Sequence, residues 1–143
     1  MSAEEQKAIV RREIEEGWNK GNLAVFDELL APDFTYRDLS NPTLHDRAGY
    51  RKLASTLRTA SPDIHYTIEE LLVAEGDRLV VRLAFRGTDT SGSGVLGSLP
   101  TGKPFAASEI LIYRFAGGKI VEEWGLADRS TIMQQLAAVP KQG

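Results

Sequence analysis

The sequence predicts an α+β fold in which a curved antiparallel sheet wraps around N-terminal helices. Three observations carry this. Apolar residues recur at helical spacing up to Ala60, and from Ile64 the period changes to two with two hairpin turns. The chain has 143 residues, the size of one domain spanning residues 1–143.

Each element has a local signal. Ala3 to Lys20 reads as a helix, with Val10, Ile14 and Trp18 on one stripe. Gly21 suits its C-terminal cap, and Asn22 suits the N-cap of a second helix holding Val25, Phe26, Leu29 and Leu30. Pro32 stops that helix, and a short strand, Phe34 to Arg37, follows. Asn41-Pro42 is a turn, and Asp46 caps a third helix over Arg47 to Ala60. Ile64 to Ala74 and Arg78 to Arg86 form a hairpin around Glu75-Gly76-Asp77. Leu79, Val81, Leu83 and Phe85 share one face of the return strand. Gly87 to Pro104 is a long Gly- and Ser-rich connection. Phe105 to Phe115 and Lys119 to Ala127 form a second hairpin, and a last helix starts near Asp128. The tail from Pro140 is expected to be loose. A curved sheet wrapped around a helix leaves a cone-shaped cavity suited to a small molecule.

Composition narrows the function. There is no cysteine, which excludes disulfides, thiolate catalysis and iron–sulfur clusters. Nothing then requires an oxidising compartment, and a cytoplasmic location is expected. The formal net charge of −3, with scattered Lys and Arg, argues against a nucleic-acid partner. No apolar run reaches the roughly 20 residues that span a bilayer, so no membrane partner is expected.

Two phosphate-loop patterns occur by letter and fail by context. Gly92 to Gly97 matches GxGxxG, and Gly97 to Lys103 matches GxxxxGK, but prolines and a strand follow where a helix is required. The two histidines, His45 and His65, have no metal-ligand spacing, so no metal site is expected. No serine sits in a GxSxG turn.

The second hairpin carries the pocket expectation. A two-residue turn at Gly117-Gly118 pairs Tyr113 with Glu122, Leu111 with Trp124 and Glu109 with Leu126, and brings Ala107 near Asp128. These residues then share one face, with two aromatics and up to three carboxylates among apolar groups. A carboxylate at the end of an apolar pocket is raised in pKa by desolvation and works as a base near neutral pH. From spacing alone Asp128 reads first as a plain N-cap for the last helix, and one residue can do both. Trp124 and Trp18 suit a pocket wall or ordinary core packing. Glu109 is either a second acid or an edge-strand charge, and Tyr113 and Tyr36 either donate to a carbonyl or pack. Arg114 falls on the opposite face with Glu123; Arg82 and Arg86 also alternate outward, as in a polar outer face or a dimer interface.

Three stretches carry a family resemblance. The first is Trp18-Asn19-Lys20-Gly21-Asn22 with Phe26-Asp27-Glu28 and Ala31-Pro32-Asp33-Phe34; the second is Pro62-Asp63 with Glu75-Gly76-Asp77-Arg78. The third and most specific runs from Pro100-Thr101-Gly102-Lys103 through Tyr113-Arg114-Phe115 to Gly118-Lys119-Ile120-Val121-Glu122-Glu123-Trp124 and Asp128, closed by Gln134-Gln135-Leu136. Together they resemble the SnoaL-like polyketide cyclases (ester cyclases), within the nuclear transport factor 2-like or cystatin-like fold. The resemblance implies a cone-shaped α+β barrel, often a homodimer, and a cofactor-free intramolecular aldol cyclisation of a polyketide ester. It implies that Asp128, just after the last strand, is the general acid/base. Two family positions differ: Gly87-Thr88 is followed by Asp89 where a His is usual, and Tyr36, Arg37 and Asp38 stand where a His or Asn is frequent.

The expected function is a cofactor-independent enzyme acting on a small hydrophobic ligand that carries a carbonyl. Asp128 is its acid/base, and Trp18, Tyr36, Glu109, Leu111, Tyr113 and Trp124 bind the substrate. Isomerisation, dehydration or epoxide hydrolysis on the same scaffold is the nearest alternative, the last requiring Arg114 beside Glu109 and Asp128. A non-catalytic, dimeric ligand-binding module is the other, with Asp128 only a cap.

Overall fold

A computed structural model describes residues 1–40, 42–90 and 101–137. Helix α1 (Ala3–Arg12) begins at Ser2, whose hydroxyl accepts a hydrogen bond from the Glu5 N–H at 3.1 Å. It continues into a π-helical segment, Glu13–Asn19, so the expected first helix is present with a widened final stretch. Gln6, Val10, Glu13 and Gly17 recur at spacings of three and four and turn inward together. Gly17 allows the ring of Phe26 to lie against the helix backbone: a Cβ there would sit 2.5 Å from Phe26 Cε1.

Helix α2 (Ala24–Leu29) starts at Leu23 with no side-chain cap, so Asn22 does not cap it as the sequence suggests. Instead the Asn22 N–H closes on the Glu16 carbonyl at 3.0 Å. Strand β1 (Leu30–Asp38) is longer than expected and contains Pro32, next to a register irregularity. Strand β2 (Thr43–Asp46) is an addition to the expected elements. Helix α3 (Arg47–Ala60) spans its predicted residues, and the Gly49 N–H donates to the Asp46 carboxylate at 2.7 Å.

Strands β3 (His65–Val73), β4 (Arg78–Thr88), β5 (Pro104–Ala116) and β6 (Lys119–Ala127) lead to helix α4 (Arg129–Ala137). The six strands form one curved, unclosed sheet ordered β2-β1-β6-β5-β4-β3. The pairings are antiparallel except that of β1 with β6, which is parallel; the elements between them provide the crossover. The helices cover the sheet's inner face, where Leu79, Val81, Leu83 and Phe85 are buried as the alternation predicts. Among the described residues, no helix is long and apolar enough to cross a membrane. The GxGxxG segment, the greater part of the GxxxxGK segment and the tail from Pro140 lie outside the described residues.

The β5–β6 hairpin departs from its predicted register at one point. Ala116 faces Lys119 and Phe115 faces Ile120, as a two-residue turn requires. A β-bulge then leaves Val121 unopposed, and Arg114 faces Glu122, Tyr113 faces Glu123, Leu111 faces Gly125 and Glu109 faces Ala127. One extra residue exchanges the faces of β6 beyond it. Glu123 turns inward, while Glu122 and Trp124 turn outward, the reverse of the expected arrangement.

The Gly17 contact yields a stability prediction. Phe26 is fully buried, with its ring against Trp18 and Tyr50, and cannot withdraw freely. Gly17→Ala is expected to destabilise the fold by about 1–3 kcal/mol in urea unfolding, the usual cost of overpacking. An unchanged unfolding midpoint would show that the ring has room to move.

Candidate active site

The inner face of the sheet and the helices enclose a cavity of about 170 Å³. Trp18, Tyr36, Tyr50 and Tyr66 form an aromatic wall, with Leu111 and Phe85 beside them. The rings meet edge to face: Tyr50 lies 5.3 Å from Trp18 and 5.2 Å from Tyr36, and Trp18 lies 5.5 Å from Tyr66. Such packing locks ring orientation and leaves a shaped hollow. Gly125 helps to set that shape, because a Cβ there would lie 2.7 Å from both Leu111 Cδ2 and the Tyr36 hydroxyl. Asp38, Ser40 and Arg129 line the half-buried end, and Tyr50 and Glu123 the fully buried end.

Glu109 projects from β5 into this cavity and has no hydrogen-bond partner among the described residues. Burial, with the charges of Asp38 and Glu13 adding to it, pushes its carboxyl up to about 7. The site thus holds a carboxylate that exchanges a proton near neutral pH and is free to face a ligand.

Behind the aromatic wall lies a second acidic group. Glu13 and Glu123 are 0% and 1% exposed. The Tyr50 hydroxyl sits 2.6 Å from Glu13 Oε1 and 2.7 Å from Glu123 Oε2. The Trp18 indole N–H donates to Tyr50 Oη at 2.9 Å and to Glu13 Oε1 at 3.2 Å. Burial raises both carboxyls above the ordinary range; hydrogen bonds from Tyr50 and Trp18 restrain Glu13, and the neighbouring Glu13 charge raises Glu123 further. Burial also holds the Tyr50 and Tyr36 hydroxyls neutral, as hydrogen-bond donors.

The structure therefore brings together Trp18, Tyr36, Glu109 and Leu111 around the cavity, as the sequence suggests. Tyr113 is fully buried beside Glu13 but does not line it. Trp124 is displaced to the outer face by the bulge, where the Arg78 guanidinium lies 5.6 Å from its ring. Asp128 also departs from expectation. Ala127 occupies the inward position, and Asp128 is exposed at the start of α4. Its carboxylate accepts from the Thr131 N–H at 3.1 Å and the Thr131 hydroxyl at 2.6 Å, bonds that hold its carboxyl below the ordinary range. Its oxygens satisfy the helix end, so they do not face the hollow.

Arg114 and Arg82 lie outside, as expected, paired with Glu122 and with Glu69 and Glu70. Sequence reasoning missed Glu13, Tyr50 and Glu123 as a unit. The signal for Glu13 was its position three residues after Val10 on the buried stripe. Among the described residues no group of three potential metal ligands occurs.

Fold and site define an α+β protein of the nuclear transport factor 2-like fold, built around a largely apolar cavity that carries carboxylates. The chain belongs to the SnoaL-like polyketide cyclase family, whose model matches residues 8–136. Among solved structures, a candidate polyketide cyclase from Acidithiobacillus ferrooxidans is 30% identical, with a TM-score of 0.75 over 92% of this chain and 94% of that one. IdmH of Streptomyces antibioticus, a candidate polyketide cyclase, is 28% identical, with a TM-score of 0.77 over 92% of this chain and 98% of its own. AclR of Streptomyces galilaeus, a candidate hydroxylase, is 25% identical, with a TM-score of 0.80 over 99% and 87%. No curated protein matches.

Asp128 generates a prediction with a defined sign. A carboxyl held below its ordinary pKa stabilises the fold above that ordinary value, and the contribution is lost as pH falls through the folded pKa. Asp128→Ala is expected to lower the melting temperature and speed amide exchange in α4 at neutral pH. The difference should shrink on acidification, and Asp128→Ser should restore much of the cap. Equal exchange in α4 of the Ala variant and the parent would contradict the capping role.

Proposed function

We propose that this chain is a cyclase-type enzyme that closes a ring by an intramolecular aldol reaction within the cavity, with Glu109 as the proton carrier. The observation that carries the reading is a cavity-facing carboxylate with no partner among the described residues and a pKa of about 7. Family membership supports the reaction class.

In the proposed reaction, Glu109 takes the proton from a carbon next to a carbonyl, and the C–H pair becomes an enolate. The enolate carbon bonds to a second carbonyl carbon of the same molecule. The resulting alkoxide recovers a proton from Glu109. Substrate and product are isomers, so the step as written consumes no oxidant, reductant or other co-reactant. Tyr36 donates a hydrogen bond to the carbonyl oxygen, and the aromatic wall folds the two reacting ends together. A positioned base contributes about 10²–10⁴-fold, and enforced proximity contributes further.

Asp128 does not enter this mechanism, because its side chain faces solvent and caps a helix. Arg114 lies on the outer face with Glu122, which removes the arrangement an epoxide hydrolase would need. The capping role of Asp128 also fits a ligand-binding module without catalysis, and the experiment separates that reading from the enzyme. Deuterium uptake next to the carbonyl of 1-indanone, followed by NMR, reports proton abstraction by the protein without requiring the natural substrate.

Glu109→Gln is expected to reduce catalysed uptake by about 10²–10⁴-fold while the fold is retained. The base must be ionised to act, so kcat/KM should rise with pH through about 7 and then level off. A carboxyl raised by burial weakens the fold as pH climbs above its ordinary value, so the Gln variant should melt higher than the parent in alkaline buffer. Equal uptake in parent and variant, or no catalysed uptake in either, would favour the binding module.

A further inference from the structure

Arg129 sits where a cation weakens its own helix. It is the first residue of α4, and a positive charge there opposes the helix dipole. With Ile132 and Leu136 it recurs at spacings of three and four, and those two residues are 3% and 6% exposed, so Arg129 begins the inward stripe. The helix is tied to β5 around that stripe. The Asp128 N–H donates to the Ser108 carbonyl at 3.0 Å, and the Gln135 amide pairs with the Ala106 backbone at 2.8 and 2.9 Å. Arg129 and Ile132 are thereby held against the cavity they line.

The guanidinium also lacks a partner. The other half-buried arginines each have one: Arg12 meets Glu16 and Glu28, Arg47 and Arg51 meet Asp27, Arg58 donates to the carbonyls of Trp18 and Asn19, and Arg114 meets Glu122. Arg129 forms no ion pair, hydrogen bond or ring contact with the described residues. An arginine keeps its charge and its five N–H donors in a folded protein. Half-buried and unsatisfied, such a group costs stability, and an acceptor on a ligand in the cavity would satisfy it.

The surrounding charges select the acceptor. Asp38 lies at the same end, its Oδ1 held by the Ser40 N–H and hydroxyl at 2.9 and 2.6 Å, and Glu109 faces the same cavity. A ligand anion would meet both carboxylates, whereas a neutral carbonyl oxygen accepts from the guanidinium and adds no charge. We propose that Arg129 is a substrate-recognition residue, donating to a ketone or ester carbonyl that an otherwise apolar ligand presents at the half-buried end of the cavity. This deepens the proposed function and rests on the cavity being its substrate site. An intramolecular aldol substrate carries two carbonyls, of which Tyr36 engages one, so the second is available to Arg129.

The test compares acetophenone with α-methylstyrene, in which a methylene replaces the carbonyl oxygen at nearly equal shape. Both are titrated into the whole protein and followed by NMR. The buffer is alkaline, so that Glu109 is ionised and cannot donate. Tyr36→Phe removes the other donor assigned to a carbonyl. In that variant acetophenone should bind about tenfold tighter than α-methylstyrene, the order expected of one hydrogen bond from a charged donor. Adding Arg129→Met should bring the two affinities together by weakening acetophenone alone. Arg129→Met by itself should keep or raise the melting temperature, because no protein partner is lost and the cation leaves the helix start. In the parent, the Arg129 guanidinium N–H signals should move with acetophenone and not with α-methylstyrene, a readout that needs no variant to fold.

Equal or absent binding of the two probes in Tyr36→Phe, a preference that survives Arg129→Met, guanidinium signals indifferent to acetophenone, or a clear fall in the melting temperature of Arg129→Met would each overturn the proposal. Benzoate bound tighter than acetophenone would assign the guanidinium to an acid and overturn it as well. None of these measurements needs turnover. Catalysed deuterium uptake without a carbonyl preference at Arg129 would leave the enzyme reading standing and remove this one, and the preference without uptake would do the reverse.

Discussion

The site depends on one unopposed residue in β6. Without the bulge at Val121, the alternation of that strand would place Glu122 and Trp124 inside and Glu123 outside. The bulge reverses this beyond Ile120. It carries Trp124 to the outer face over Arg78 and sends Glu123 toward Tyr50. It also places Gly125 against Leu111 and Tyr36, where a larger residue would fill the hollow. The cavity wall, its buried acid and the position of Tyr36 thus follow from a single register shift, a device often found beside functional sites.

The cost of that shift is an acidic core. Glu13 and Glu123 lie where apolar groups would stabilise the fold more, and each isolated charge would be strongly unfavourable there. Tyr50 makes the arrangement tolerable by joining α3, the π-helical segment and β6 through one hydroxyl. Trp18 closes the group from the same segment as Glu13. A core built for stability alone would not bury two carboxyls against one another beside the Tyr113 hydroxyl. Of these groups Glu123 lines the cavity, the pattern of a fold that exchanges stability for a prepared polar surface.

Much of the architecture was legible because it rests on short-range chemistry. Asp46 caps α3, the change of period marks the strands, and Gly117-Gly118 sets the turn between β5 and β6. Trp18, Tyr36, Glu109 and Leu111 lie at the cavity as alternation and periodicity suggest. The sequence carried no sign of the bulge, since Val121 is an ordinary strand residue. Every β6 assignment beyond it, including Trp124, therefore moved to the wrong face. Asp128 failed for another reason: the motif marks a helix start, and the carboxylate is consumed by Thr131. Glu13 was hidden because a glutamate on an apolar stripe is ordinarily a solvated edge, and its partners come from distant segments.

The distribution of charge then limits what the cavity can hold. Arg78, Arg82 and Arg114 all reach outward, two of them into ion pairs and one over an indole ring. Asp38, Glu109 and Glu123 line the inside, and among the described residues the lining holds one cation, Arg129. Negative groups with few counter-charges in a weakly polarisable hollow raise one another's pKa, which is part of why Glu109 reaches about 7. The same field opposes a ligand bearing a carboxylate or phosphate at the buried end and leaves an ester or ketone unopposed. The neutral carbon acid proposed as substrate would make use of the same feature: carboxyls that burial keeps ready to hold a proton.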